Sequence, residues 1–169
     1  MRDDWLNAVL EAVPARAAYA DRLEPFRHGT QATSLHLAVL VEPYLGFIFD
    51  GTKTVESRFS VKPIAPYGHV RQGDTILLKP PSKPIEGMCT VTECWQYRLD
   101  STSRDLVRNR FGPLLAAQPG FWESRQHARY LTLIAITHVV RTDPIAVPKR
   151  DRRGWVVLAA PETQLRWNV

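Results

Sequence analysis

The densest cluster of polar side chains lies in the octet GTKTVESR, residues 51–58. It combines the amine of Lys53, the carboxylate of Glu56, the guanidinium of Arg58 and several hydroxyls. Charged groups of this kind hold a phosphate or a base carbonyl oxygen through strong hydrogen bonds. A lysine removed from water can instead lose its proton and act as a base. The alternative is a turn with an exposed Glu56–Arg58 pair, which would stabilise the chain little.

The octet follows a short apolar segment and precedes an extended one. In an extended chain successive side chains alternate between the two faces. This alternation predicts Lys53 and Val55 on one side and Thr54, Glu56 and Arg58 on the other.

A second cluster, KRDRRGW, spans residues 149–155 and places four cations and one acid before a tryptophan. Guanidinium groups beside an aromatic ring suit a phosphate backbone with a stacking face. The hypothesis is that Lys149, Arg150, Arg152 and Arg153 contact nucleic-acid phosphates. The alternative is a solvated turn. In both cases Trp155 is expected in the core, as the anchor of the last strand.

The positive charge is concentrated toward the end of the chain. The formal net charge is +5, and residues 101–169 hold eleven Lys or Arg against five acids. Clustered cations favour a polyanionic partner, because binding then releases the counterions of the phosphates. The alternative is an arginine-rich surface that only keeps the protein soluble.

Residues 1–30 are expected to form a helical appendage. The apolar spacing from Trp5 to Val13 predicts a helix over 3–22, divided at Pro14 because a proline inside a helix loses a hydrogen bond. Residues 24–34 look like a polar connector. The barrel domain proper is predicted over 31–169.

The rest of the chain alternates short strands with helices, which predicts an α+β fold built on a small mixed β-barrel. In residues 35–41 the larger apolar positions 35, 37, 39 and 41 alternate with His36, Ala38 and Leu40, in the manner of a strand with one core face. A two-turn helix follows and stops at Gly51. Further strands are predicted at 54–59, 75–78, 87–95, 130–140 and 155–158, and a helix with a Ser or Thr cap at 101–115. The strand 130–140 is apolar on both faces, which predicts a central, fully covered position.

Several classes of protein are disfavoured. No apolar run approaches the ~20 residues of a membrane span, and the first residues lack the pattern of a signal peptide, so a cytoplasmic protein is expected. The five histidines show no metal-ligand spacing and there are only two cysteines. We therefore expect no metal or other cofactor. His36 and His138 fall in strands and are interpreted as core histidines.

The order of these segments resembles the ASCH domain, a relative of the PUA-like barrels. The resemblance rests on LAVLV at 37–41, PYLGFI at 43–48, GTKTVESR, QGDTILL at 72–78 and GMCTVTECWQY at 87–97. It implies a barrel whose cleft is floored by the Lys53 loop, with a role in RNA or nucleotide recognition.

Some members of that family are amidohydrolases that act on a modified cytidine, and others are described as ribonucleases. In the amidohydrolases a lysine of this loop, a nearby threonine and a more distant glutamate serve the reaction. Lys53 matches the lysine, but Glu56 stands where the threonine would be. Glu123 is the nearest candidate for the distant glutamate.

The sequence thus predicts a nucleic-acid or nucleotide-binding protein that prefers RNA to DNA, since single-stranded RNA can place an unstacked base in a pocket. Lys53, Thr54 and Arg58 would bind in the cleft, and the basic run at 149–153 on its rim. The alternative is a metal-independent ribonuclease or modified-nucleoside amidohydrolase with Lys53 and Glu56 as acid and base. A protein-interaction module that docks through the N-terminal helix is a third possibility.

Overall fold

The computed structural model describes residues 2–147 and 152–161. Within these ranges the helices are α1 (Arg2–Ala12), α2 (Glu24–Arg27), α3 (Tyr44–Asp50) and α4 (Ser101–Leu115), with 3-10 turns at Ala20–Arg22 and Glu123–Arg125. The strands are β1 (Leu35–Val39), β2 (Val55–Ser60), β3 (Thr75–Lys79), β4 (Ile85–Arg98), β5 (Tyr130–Ile145) and β6 (Trp155–Ala159). The α+β class is confirmed.

The strands of the described residues form one sheet in the order β2-β5-β4-β3-β1-β6, which curls into a half-barrel. Neighbours are antiparallel except for β1 and β3, which run parallel. A parallel pair needs a long crossover, and here α3 and β2 supply it. Strands β2 and β6 are therefore the two outer edges. The strand predicted to be central, β5, lies next to the edge and is buried on both faces only over residues 131–134.

The N-terminal segment differs from both predictions made for it. The helix predicted over 3–22 is shorter, and the connector predicted to be polar over 24–34 contains a buried apolar residue. Helix α1 ends at Ala12, before Pro14, and α2 forms inside the stretch expected to be a polar connector because Phe26 is buried there. Apolar side chains of this segment pack on the outer face of the sheet, against Leu35 and Leu37. Strand β1 is consequently buried on both faces, and the prediction of one core face was wrong.

Two further cores complete the molecule. Inside the curl, Ala38 and Leu40 pack with apolar residues of β3, β4 and β6. Helix α4 covers β2 and β5 through residues that include Phe111. Its N-cap is Asp100 rather than a serine or threonine, in a reciprocal capping box. Among the described residues, no helix combines the length and the apolar character that crossing a membrane requires.

Candidate functional site

The loop that carries Lys53 is fixed by its backbone. Helix α3 stops at Gly51, whose φ of 82° lies in the left-handed region that glycine tolerates. The Lys53 N–H then donates to Phe47 O at 2.9 Å, and the Thr54 N–H donates to Leu114 O at 3.1 Å. Lys53 thus precedes the strand, which begins at Val55. Strand alternation does not apply to Lys53, and its side chain lines the same cavity as Glu56, not the opposite face as predicted.

The ammonium group of Lys53 is almost completely removed from water. Its side chain is only 2% exposed, and Nζ donates to Leu115 O, at the end of α4, at 3.0 Å. Nζ also lies 3.4 Å from Glu56 Oε2 and 5.4 Å from the centre of the Tyr44 ring. Burial lowers the pKa of Lys53, and the negative charge of Glu56 opposes that shift.

The Glu56 carboxylate sits between two cations. Its second oxygen, Oε1, lies 2.8 Å from Arg58 Nε, and the residue is buried. The pair that could have been an exposed contact in a turn is therefore a largely buried ion pair on β2. Burying a carboxylate costs free energy unless it is paired, and here both oxygens face a positive charge.

Arg58 connects the two open edges of the sheet. From β2 it donates through Nη2 to Val39 O, at the end of β1, at 2.9 Å and through Nη1 to Gly154 O, just before β6, at 3.2 Å. Its guanidinium also lies 5.2 Å from the Trp155 ring centre. A Cβ on residue 154 would approach Arg58 Nη1 to 3.3 Å, so glycine suits this close contact.

A buried chain of hydrogen bonds fixes Trp155 behind Arg58. The indole Nε1–H of Trp155 donates to His36 Nδ1 at 3.1 Å. Because an indole nitrogen can only donate, Nδ1 must accept, and His36 Nε2–H therefore donates to Asp74 Oδ2 at 2.9 Å. Asp74 also accepts the backbone N–H groups of Ser34 and Arg71, both at 2.8 Å. His36 is a core histidine in the structure, as expected, whereas His138 is exposed on β5 and the same interpretation was wrong for it.

Lys53, Glu56 and Arg58 line an open cavity of about 450 Å³. Tyr44 on α3 and the segment 121–125 supply further walls. In that segment Arg125 donates to Phe121 O at 2.9 Å and to Ser124 Oγ at 3.0 Å. Its guanidinium lies 3.8 Å from the Phe121 ring centre. No sequence motif marked Arg125 or Ser124, because they approach the octet only through tertiary folding.

The other predicted site residues are placed as follows. Thr54 is exposed and does not line the cavity, and its carbonyl accepts from Ile136 N–H at 3.1 Å. Arg152 and Arg153 are exposed, directly before the glycine that contacts Arg58. Lys149 and Arg150 lie outside the described residues. Glu123 lines a neighbouring groove instead of the cavity.

We found no metal-ligand cluster in the part of the chain that the structure describes: no three His, Cys, Asp or Glu side chains come together there in a way that could hold an ion.

No protein-family model matches the chain, and no curated protein does. Solved structures do match. An ASCH protein from Zymomonas mobilis superposes with a TM-score of 0.59 at 13% identity, over 79% of this chain and 92% of that chain. A tyrosine-to-phenylalanine mutant of the Zymomonas mobilis protein ZmASCH superposes with a TM-score of 0.60 at 15% identity, over 80% of this chain and 98% of that chain. A serine-to-alanine mutant of ZmASCH superposes with a TM-score of 0.59 at 16% identity, over 79% of this chain and 94% of that chain. The chain therefore has an ASCH-type fold, as the order of its motifs predicted.

The lowered pKa of Lys53 predicts a pH-dependent stability. Between that pKa and the ordinary value of 10.5, the unfolded chain holds a proton that the folded chain has lost. The free energy of unfolding of the wild type should therefore rise with pH relative to Lys53→Met. Urea unfolding from neutral pH to pH 10.5 measures this difference. The exposed Lys62→Met is the control and should show no such trend. A difference in free energy of unfolding between the wild type and Lys53→Met that stays constant or falls with pH would contradict the lowered pKa of Lys53.

Proposed function

We propose that this chain binds single-stranded RNA and takes a nucleotide unit into the cavity of Lys53, Glu56 and Arg58. The observation that carries the proposal is the Glu56 carboxylate, held 3.4 Å from Lys53 Nζ and 2.8 Å from Arg58 Nε at the wall of an open cavity of about 450 Å³. An arrangement with both donors and acceptors suits a nucleotide, which presents both to its surroundings.

Each part of the nucleotide has a matching group. A carboxylate offers about four lone-pair directions, so Glu56 keeps acceptor capacity for the amino group of a base. The guanidinium groups of Arg58 and Arg125 suit phosphate oxygens, which accept paired N–H donors. The half-buried ring of Tyr44 offers a face on which a base can stack. Single-stranded RNA is favoured because its bases can leave the stack.

We propose that the basic run at 149–153 forms a rim beside the cavity. Arg152 and Arg153 are exposed and adjoin Gly154, which accepts from Arg58 at the cavity. Lys149 and Arg150 belong to the same proposed rim. Contacts to phosphates would supply affinity without regard to sequence, while the cavity would supply selectivity.

A metal-independent hydrolase is the second candidate, either a ribonuclease or a modified-nucleoside amidohydrolase. Burial lowers the pKa of Lys53, which raises the share of neutral amine that could accept a proton, and Glu56 lies close enough to exchange it. Tyr44 and Ser124 bring hydroxyl groups to the cavity. Two of the structural neighbours are forms of ZmASCH in which a tyrosine or a serine has lost its hydroxyl. Because Glu56 stands where the amidohydrolases have a threonine, the nucleophile would be water or one of the two hydroxyl groups of Tyr44 and Ser124.

Lys53→Met tests the cavity. It keeps most of the side-chain length but removes the charge, so binding of labelled single-stranded RNA should weaken about tenfold, the loss expected for one charge-assisted hydrogen bond. Lys62→Met removes the same charge from an exposed position outside the cavity and should change affinity little. Thermal unfolding confirms that both variants are folded. Equal affinities of the wild type and folded Lys53→Met would contradict the cavity assignment.

The same samples, incubated with a chelator and separated on a gel, test the hydrolase. Cleaved RNA that appears with the wild type and disappears with Lys53→Met would establish the second candidate. Intact RNA with both proteins would exclude the ribonuclease form of the second candidate.

Arg152→Glu tests the rim. If Arg152 neutralises one phosphate, the slope of log affinity against log salt concentration should become shallower by about 0.7, the value for a single-stranded ligand. Arg16→Glu, an equal charge reversal at an exposed site of the N-terminal segment, should leave the slope unchanged. The rim assignment fails if the two variants give the same slope as the wild type.

A further inference from the structure

A second, smaller cavity meets the first at Arg58. It has a volume of about 160 Å³, and Arg58 and Phe59 line both cavities. The rest of its wall comes from the loop after β2, through Ile64 and Pro66, and from the ring of Trp155. Arg58 therefore separates two compartments of one site.

The two compartments differ in character. The larger one contains the charges of Lys53, Glu56 and Arg125. The smaller one combines apolar and aromatic side chains, such as Ile64 and Trp155, with the polar groups of Ser60 and Thr132, and it has the volume of about five water molecules. That space suits one planar ring. Trp155 is held in place by its hydrogen bond to His36, so the wall is rigid before a ligand arrives.

Arg58 keeps donor capacity between the compartments. Each of its two terminal nitrogens carries two N–H groups. Nη1 donates to Gly154 O and Nη2 to Val39 O, one bond each within the described residues. The remaining N–H on each nitrogen is available to an oxygen ligand. A phosphate group accepts N–H donors from more than one nitrogen of a guanidinium.

We propose that the site binds two consecutive nucleotides of one strand, with one base in each compartment and Arg58 on the phosphodiester that joins them. The proposal rests on the proposed function and narrows the ligand from a nucleotide to a dinucleotide step. The second base lies against Trp155 and Ile64, and base stacking of this kind tolerates different sequences. A pyrimidine fits the smaller compartment best because it has a single ring.

The experiment measures affinities by calorimetry for uridine monophosphate, the dinucleotide uridylyl-uridine and an oligouridine. The wild type should bind the dinucleotide about tenfold more tightly than the mononucleotide, since one stacked base adds roughly that factor. Ile64→Ser removes part of the second compartment's wall at a position that is 59% exposed, so folding is little affected. It should abolish most of the dinucleotide's advantage and leave the mononucleotide's affinity unchanged.

Val61→Ser is the matched control, because Val61 lies in the same loop, is 58% exposed and does not line the second compartment. It should behave as the wild type. Equal affinities for mononucleotide and dinucleotide, with the oligouridine still bound, would overturn the second compartment and leave the proposed function standing. The second compartment would also be overturned if Ile64→Ser and Val61→Ser both still bound the dinucleotide more tightly than the mononucleotide, by the same factor. If none of the three ligands binds, the proposed function fails as well.

Discussion

The guanidinium group of Arg58 holds together two edges of the sheet that backbone hydrogen bonds leave apart. Strands β2 and β6 lie at opposite ends of the strand order, and Arg58 reaches from β2 to the carbonyls of Val39 and Gly154. A guanidinium suits this task because its donors are fixed in a planar fork and it remains charged. The curl of the sheet brings the edges close, and Arg58 then defines the wall between two cavities. The position of the site thus follows from the way the half-barrel is joined.

The charges of the same residues match the anionic partner that we propose. Arg58 brings a charge into a largely buried position, and Glu56 offsets it while also pairing with Lys53. Three cations, including Arg125, face one carboxylate around the cavity, so the site has a formal charge of +2 when Lys53 is protonated. An anionic ligand reduces that excess. Behind the site, the hydrogen bonds from Trp155 through His36 to the Asp74 carboxylate add rigidity without adding positive charge.

The sequence alone was sufficient for the class of fold, and it singled out three residues that line the candidate cavity. The order of the motifs predicted an ASCH-type fold, and the octet contained Lys53, Glu56 and Arg58. Their relative orientation could not be predicted, because it depends on where β2 begins: Lys53 lies before the strand, so alternation gave the wrong face. The second buried face of β1 was missed because it depends on packing by the N-terminal segment. Arg125 was also missed, since only tertiary folding brings distant segments to the octet.

The most direct test is native-state hydrogen exchange of Arg58→Met compared with the wild type. If Arg58 joins the sheet edges, the amides of β2 and β6 should exchange faster in the variant while the amides between β3 and β4 keep their protection, because local opening then requires less free energy than global unfolding. Uniformly faster exchange over the whole sheet, or no change at β2 and β6, would contradict the central role given to Arg58.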